Sequence, residues 1–191
     1  MTRFERRAVI VELAILILTL IVTTTTGVGV YYQTTRHFNI QRTTYLIERF
    51  DTQELVDARE VTDDWLAKGE SPKSLMDSAV DPHSREPEAS KTEKEKLESK
   101  KAAEAAATVN SIRVFCNFFQ ELGTAEKHHT LDEGYMWDVF GAAVTKYGEE
   151  LKPFIEEMRV RRQRPQLYQE FLSLTERMKK LNEKYASQQD R

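Results

Sequence analysis

The sequence predicts an all-α protein, with a single transmembrane helix at its N-terminus followed by a small helical bundle that ends in a long C-terminal helix. Three observations carry this. Apolar residues recur at spacings of three and four along most of the chain. Seven Gly and five Pro among 191 residues are few for the many turns of a β-rich fold, and long stretches rich in Lys, Glu, Ala and Leu separate them. One apolar run near the start is long enough to cross a bilayer.

Composition excludes several function classes. A single cysteine rules out a disulfide framework and any all-cysteine metal site within one chain. A formal net charge of −3 lacks the basic excess of a general nucleic-acid binder. That near-neutral sum conceals segments of opposite sign. Residues 1–50 hold six basic and three acidic groups, residues 51–80 three against eight, and residues 151–191 ten against six.

The first element is the anchor, within residues 1–32. From Ala8 to Val30 the only charged residue is Glu12, and Leu13 to Val22 is almost purely aliphatic. A helix of that length extends about 34 Å, against a hydrocarbon core of roughly 30 Å. Arg3, Arg6 and Arg7 precede it, Arg36 and Arg42 follow, and Tyr31 and Tyr32 mark the far end where aromatic rings favour the interface. No small-x-small cleavage site follows the run, so an uncleaved anchor is expected rather than a signal peptide. Flanking positive charge is similar on both sides. The lone Cys116 favours a reducing compartment, and hence a cytoplasmic bulk domain. Within the anchor, Glu12 either snorkels beside Arg7 or meets a partner. Thr19, Thr23 and Gly27 form a strip of small residues suited to helix packing, unless the threonines bond back to their own helix.

Residues 33–70 form juxtamembrane and first soluble helices. Phe38, Tyr45, Leu46 and Phe50 share one face of Gln33–Phe50. Asp51 with Glu54 has capping-box spacing, opening a helix through Leu55, Ala58, Val61, Trp65 and Leu66 that stops at Gly69. Residues 71–108 read as a linker: Pro72, Pro82 and Pro87 lie among Ser, Asp and Glu, and Lys91–Ala107 then forms a solvated charged helix.

The bundle domain is expected over 109–191. Ala105, Val109, Ile112, Cys116, Phe119 and Leu122 make a buried stripe, ended by Gly123 as a C′ residue. Thr130 and Glu133 have the spacing of a second capping box, before a stripe of Leu131, Tyr135, Val139, Phe140, Ala143 and Tyr147. Pro153 breaks or kinks that helix, and a short one follows through Phe154, Ile155 and Met158. Beyond Pro165, Leu167, Phe171, Leu174, Met178, Leu181 and Tyr185 recur at 4, 3, 4, 3, 4. The first half of this stripe suits packing within the chain, and its polar-flanked end suits self-association.

Candidate chemistry is sparse. The sequence contains no phosphate-binding glycine loop, no Gly-x-Ser-x-Gly elbow and no His-Glu-x-x-His. Cys116, His128, His129 and Asp132 would form a mixed metal set only if the 123–130 turn folded back, and a core cysteine with two loop histidines is the simpler expectation. Glu149–Glu150 and Glu156–Glu157 are adjacent pairs that cannot face each other on a helix. Arg159, Arg161, Arg162 and Arg164 cluster where cations offset a helix dipole, and they also suit contact with a protein partner or anionic lipid.

Phe50, Glu54-Leu55, Ala58-Arg59 and Trp65-Leu66, then Val114-Phe-Cys-Asn-Phe-Phe-Gln-Glu-Leu-Gly123, form a moderately specific pattern. Asp132, Tyr147, Pro153-Phe-Ile155, Arg159, Pro165 and Tyr168 continue it. Over roughly residues 38–70 and 109–175 this resembles an uncharacterised bacterial family with one N-terminal anchor and a small helical domain carrying Phe-Phe-x-Glu-Leu-Gly. The resemblance implies that architecture and no activity. Its polar positions, Arg59, Glu121 and Asp132, suggest a buried Arg–carboxylate contact. The functional expectation is a non-enzymatic, membrane-anchored interaction protein: an accessory or structural subunit of a membrane assembly, or a homo-oligomer. No cofactor, metal, nucleic acid or small-molecule substrate is indicated. The alternatives are a regulator or effector acting on the bilayer, and a metal enzyme using Cys116, His128, His129 and Asp132.

Overall fold

The computed structural model describes residues 3–80 and 92–189, with side chains described for 16–80, 92–132 and 134–183. Among the described residues there are seven helices and no strand. Residues up to Gln41 form one unit and those from Arg42 another.

The first helix, α1, runs from Arg3 to Phe50 without a break. The anchor and the juxtamembrane helix are therefore continuous. No proline interrupts them, and Gly27 and Gly29 keep helical backbone, Gly69 being the glycine with positive φ among those described. In the second unit Leu46 is buried and Phe50 half-buried, whereas Tyr45 is exposed, so the expected face is narrower than its spacing suggested. Thr43 is fully buried, and its Oγ1 accepts a hydrogen bond from the Asp132 amide at 3.1 Å.

The chain reverses over Asp51 and Thr52 into α2, Gln53–Lys68. Thr52, not Asp51, is the N-cap. Its hydroxyl donates backward to the Arg49 carbonyl at 2.7 Å, so the expected capping box does not form. Leu55, Ala58, Thr62 and Trp65 are the buried positions, and Gly69 ends the helix in the left-handed region with φ 63°. A short helix, α3 (Pro72–Ser78), lies within the expected linker. Ser71 caps it by accepting from the Ser74 amide at 3.1 Å, Pro72 sits in the first turn, and Leu75 and Met76 are buried. Residues 81–91 of that linker lie outside the described residues.

The longest soluble helix, α4, spans Glu93–Lys127. It opens on a complete capping box: Thr92 Oγ1 accepts from the Glu95 amide at 3.3 Å, and Glu95 Oε2 accepts from the Thr92 amide at 2.5 Å. Lys–Glu pairs one turn apart and a run of alanines carry the solvated start into the buried stripe. Gly123 does not end this helix. It is buried within it, because a Cβ there would lie 2.7 Å from the Glu170 carbonyl carbon of the facing helix. The helix ends at His128, with His129 left-handed at φ 53°.

The next helix, α5 (Glu133–Glu150), is capped by Asp132, whose carboxylate accepts from the Tyr135 amide at 3.0 Å. Thr130 instead donates its hydroxyl to the Ala125 carbonyl at 2.9 Å, which corrects the second expected box. Pro153 does not kink α5. It stands in the first turn of a new helix, α6 (Lys152–Arg162), where no amide is required. The last helix, α7, is Gln169–Gln189.

In the second unit α4 packs against α2, α3 and α7, α5 against α6 and α7, and α3 against α6. Phe171, Leu174 and Met178 of α7 are buried and Leu167 and Leu181 half-buried, so the described part of the C-terminal stripe packs within the chain. The Tyr185 side chain lies outside the described residues. Phe119 is the hub of the aromatic core. It stacks on Phe171 at 4.8 Å between centroids and meets Phe115 edge-on at 4.9 Å and Phe118 at 5.4 Å. Two glycines allow close helix approaches: Gly123 to the Glu170 backbone, and Gly148 to Thr175, whose Cγ2 a Cβ would meet at 2.5 Å.

The Arg–carboxylate contact suggested among Arg59, Glu121 and Asp132 forms with a different cation. Glu121 pairs with Arg49, while the Arg59 guanidinium lies 5.3 Å over the Phe50 ring and Asp132 is occupied as a cap.

Candidate functional site

Two regions hold the residues with functional promise: the apolar part of α1 and the corner between α6 and α7. Over Leu16–Phe50, α1 is long and apolar enough to cross a membrane, and none of its apolar window is buried within the chain. Leu16 and Leu20 expose about two-thirds of their surface, at 66% and 67%. In the same stretch four consecutive threonines donate inward. Thr23 Oγ1 bonds the Thr19 carbonyl at 2.8 Å, Thr24 the Leu20 carbonyl at 2.7 Å, Thr25 the Ile21 carbonyl at 2.9 Å and Thr26 the Val22 carbonyl at 2.8 Å. Thr23 thus makes the back-bond set against helix packing, and its hydroxyl needs no outside partner. Around Gly27 an added Cβ would meet nothing within 4 Å. The Glu12 side chain lies outside the described residues.

The α6–α7 corner is built by two left-handed residues, Gln163 at φ 52° and Tyr168 at φ 57°. Neither is glycine, so the bend is held by contacts. Arg159 Nε donates to the Leu167 carbonyl at 2.8 Å and ties the loop to the helix end. Arg161 reaches Glu157 at 2.6 Å and Asp77 of α3 at 2.5 Å, which hold its guanidinium above its ordinary pKa. Arg162 and Arg164 are exposed and form no ion pair among the described residues. The four-arginine cluster therefore divides: two members fix the corner, and two project charge. Beside them a depression of about 520 Å³ is lined by Glu156, Arg159, Val160, Gln163 and Pro165, and Val160 is 74% exposed.

Beneath the corner, Tyr168 is buried close to Arg113. Burial raises its hydroxyl from an ordinary value of 10 to about 12, over the opposing pull of Arg113. The folded state thus holds this proton more tightly than the unfolded state. Its contribution to stability is complete below about pH 10 and is lost as pH rises from there towards 12. Chemical denaturation across that window is expected to show a falling midpoint, and Tyr168→Phe should flatten part of the fall. Tyr147, also raised by burial and by its bond to Asp63, and the buried Cys116 thiol keep the remainder. An identical alkaline slope in the variant would contradict this.

The proposed metal ligands do not converge. Among the described residues no three His, Cys, Asp or Glu side chains lie close enough to hold an ion. Cys116 is fully buried mid-helix, and burial pushes its thiol up, away from the thiolate that ligation or attack requires. His128 and His129 occupy the end of α4, and Asp132 is the α5 cap.

The sequence did not single out a second concavity. It is a groove of about 430 Å³ between α2, α3 and α4, with Val61, Trp65, Leu75 and Ala105 among its lining and Asp64, Lys68 and Glu104 around them. The buried Trp65 Nε1 has no acceptor among the described residues. The acidic residues of α2 are the available sequence signal: Glu54, Asp57, Glu60 and Asp64 fall one turn apart and are all exposed.

No curated protein and no solved structure matches the chain. A family model described as a domain of unknown function (DUF4760) matches residues 9–178. That span covers the apolar helix, the 81–108 stretch that the motif pattern had left out, and the bundle through Met178. By this match over most of its length, the chain belongs to the DUF4760 family.

Proposed function

We propose that the chain is a single-pass, membrane-anchored interaction protein without catalytic activity, serving as an accessory or structural subunit in a bacterial inner-membrane assembly or as a homo-oligomer. The observation that carries this reading is the chemistry of α1 between Leu16 and Val30. Its aliphatic side chains are exposed, and its threonine hydroxyls are satisfied by its own carbonyls. A bilayer core favours that combination, since it solvates hydrocarbon and offers no partner to a free hydroxyl. The helical domain supports the second half of the reading: its buried groups are packing groups, and its distinctive polar residues lie on the surface. A cytoplasmic position for the domain suits its one reduced, enclosed cysteine.

The full chain should remain in the membrane pellet through alkaline carbonate washing and leave it only with detergent. Release by carbonate would end the anchor. Detergent-solubilised material should then show a mass above that of one chain, alone or with a co-purifying partner. A strictly monomeric, partner-free species would overturn the interaction half of the proposal.

A further inference from the structure

The corner between α6 and α7 carries charge that no described carboxylate of the second unit pairs with. Arg162 and Arg164 are exposed without a carboxylate partner among the described residues, next to the depression lined in part by Val160 and Pro165. Glu156 is the one carboxylate among that depression's lining residues. The same unit carries the complement. The outer face of α2 presents Glu54, Asp57, Glu60 and Asp64 one turn apart, with the half-buried Val61 between the last two. Asp57 accepts a bond from Gln53 at 2.6 Å, and among the described residues no cation pairs with any of the four. In contrast, Asp63, one residue from Asp64, is already bound by Lys146 and Tyr147. Among the described residues the four acids thus lack an ion-pair partner, as do the two arginines. An acidic helix ridge carrying one aliphatic residue is complementary in charge to two exposed arginines beside the exposed Val160.

We propose that the α6–α7 corner of one copy docks the outer face of α2 from a second copy, so that chains associate head to tail. The two faces are different, which makes the contact heterologous. Repetition closes a ring or extends a row, and a pair of chains leaves one face of each kind free. The proposal deepens the interaction reading by naming the partner as another copy of the chain. Anchors in one membrane would raise the local concentration at which such a contact forms.

The test uses the detergent-solubilised full chain, with mass read by light scattering. At low ionic strength the wild type should exceed one chain in mass, and raising the salt should return it to one chain, since exposed charges are screened. Arg162→Glu with Arg164→Glu, and separately Glu60→Arg with Asp64→Arg, should each weaken self-association more than about tenfold. Mixing the two variants should restore the larger mass, because opposite charges then meet at both kinds of contact. Both variants must melt like the wild type by circular dichroism. A wild type that is monomeric at low salt, variants that associate as well as the wild type, or a mixture that stays monomeric would each overturn the proposal. Carbonate extraction tests the anchor independently: a membrane-retained monomer sinks the docking contact alone, and an associating chain released by carbonate sinks the anchor alone. If the arginine variant lost binding to anionic vesicles while the mixture remained monomeric, the corner would be assigned to lipid headgroups and the copy-to-copy contact would fail.

Discussion

Phe119→Ala is expected to lower the unfolding free energy by about 3–5 kcal/mol, a large part of what a domain of this size holds. The side chain is fully buried and lies within ring-contact distance of Phe50, Phe115, Phe118, Tyr147 and Phe171. These rings come from α1, α4, α5 and α7, so no single helix can move to fill the space. The lost transfer energy is therefore joined by most of the cavity cost, and the edge-on and stacked ring contacts are lost as well. Urea denaturation should show a lower midpoint with an unchanged slope. A loss below about 1 kcal/mol would mean that the core collapses around the gap, contrary to its four-sided enclosure.

Gly123→Ala should be nearly as severe, at about 3 kcal/mol or more. On an exposed helix the exchange would favour the helix by up to about 1 kcal/mol, so the expected sign is opposite to propensity. The reason is the neighbour. A methyl at Gly123 would press on the Glu170 carbonyl group and come within 3.2 Å of the Phe171 amide nitrogen. That backbone belongs to the first turn of α7 and cannot rotate aside, and α4 and α7 would have to separate. Gly148→Ala meets Thr175 instead, whose Cβ, 2.7 Å from the added methyl, does not move when the side chain rotates, so α5 and α7 would have to separate as well. Its effect should be of similar size, and melting temperatures unchanged in both variants would show that α7 gives way as a unit.

Much of the fold was legible because helical periodicity is local. The α7 stripe repeats without competing signals, and its described members point inward as spacing required. Helix ends were read less accurately. Asp51 and Thr52 are adjacent candidates, as are Thr130 and Asp132, and which side chain caps depends on where the backbone turns. Gly123 looked like a stop because glycine usually is one there. Only the approach of α7 from 47 residues away reveals it as an interior contact. The short α3 was hidden because Ser71-Pro72 reads equally as loop and as helix start. At the candidate site, the arginine cluster was legible as a cluster. Its division into two engaged and two projecting members depends on Asp77 and Leu167, which share no local pattern with it. The Arg49–Glu121 pair, 72 residues apart, is illegible for the same reason.

The solitary Cys116 has a practical consequence beyond its place in the core. Its sulfur is fully buried within a central helix, with no disulfide competing for it. Any reagent that alkylates thiols must wait for the helices around it to part. The rate at which the native protein consumes such a reagent is therefore a clock for its own opening, set by how often the core is exposed. The molecule carries this reporter without any engineered label.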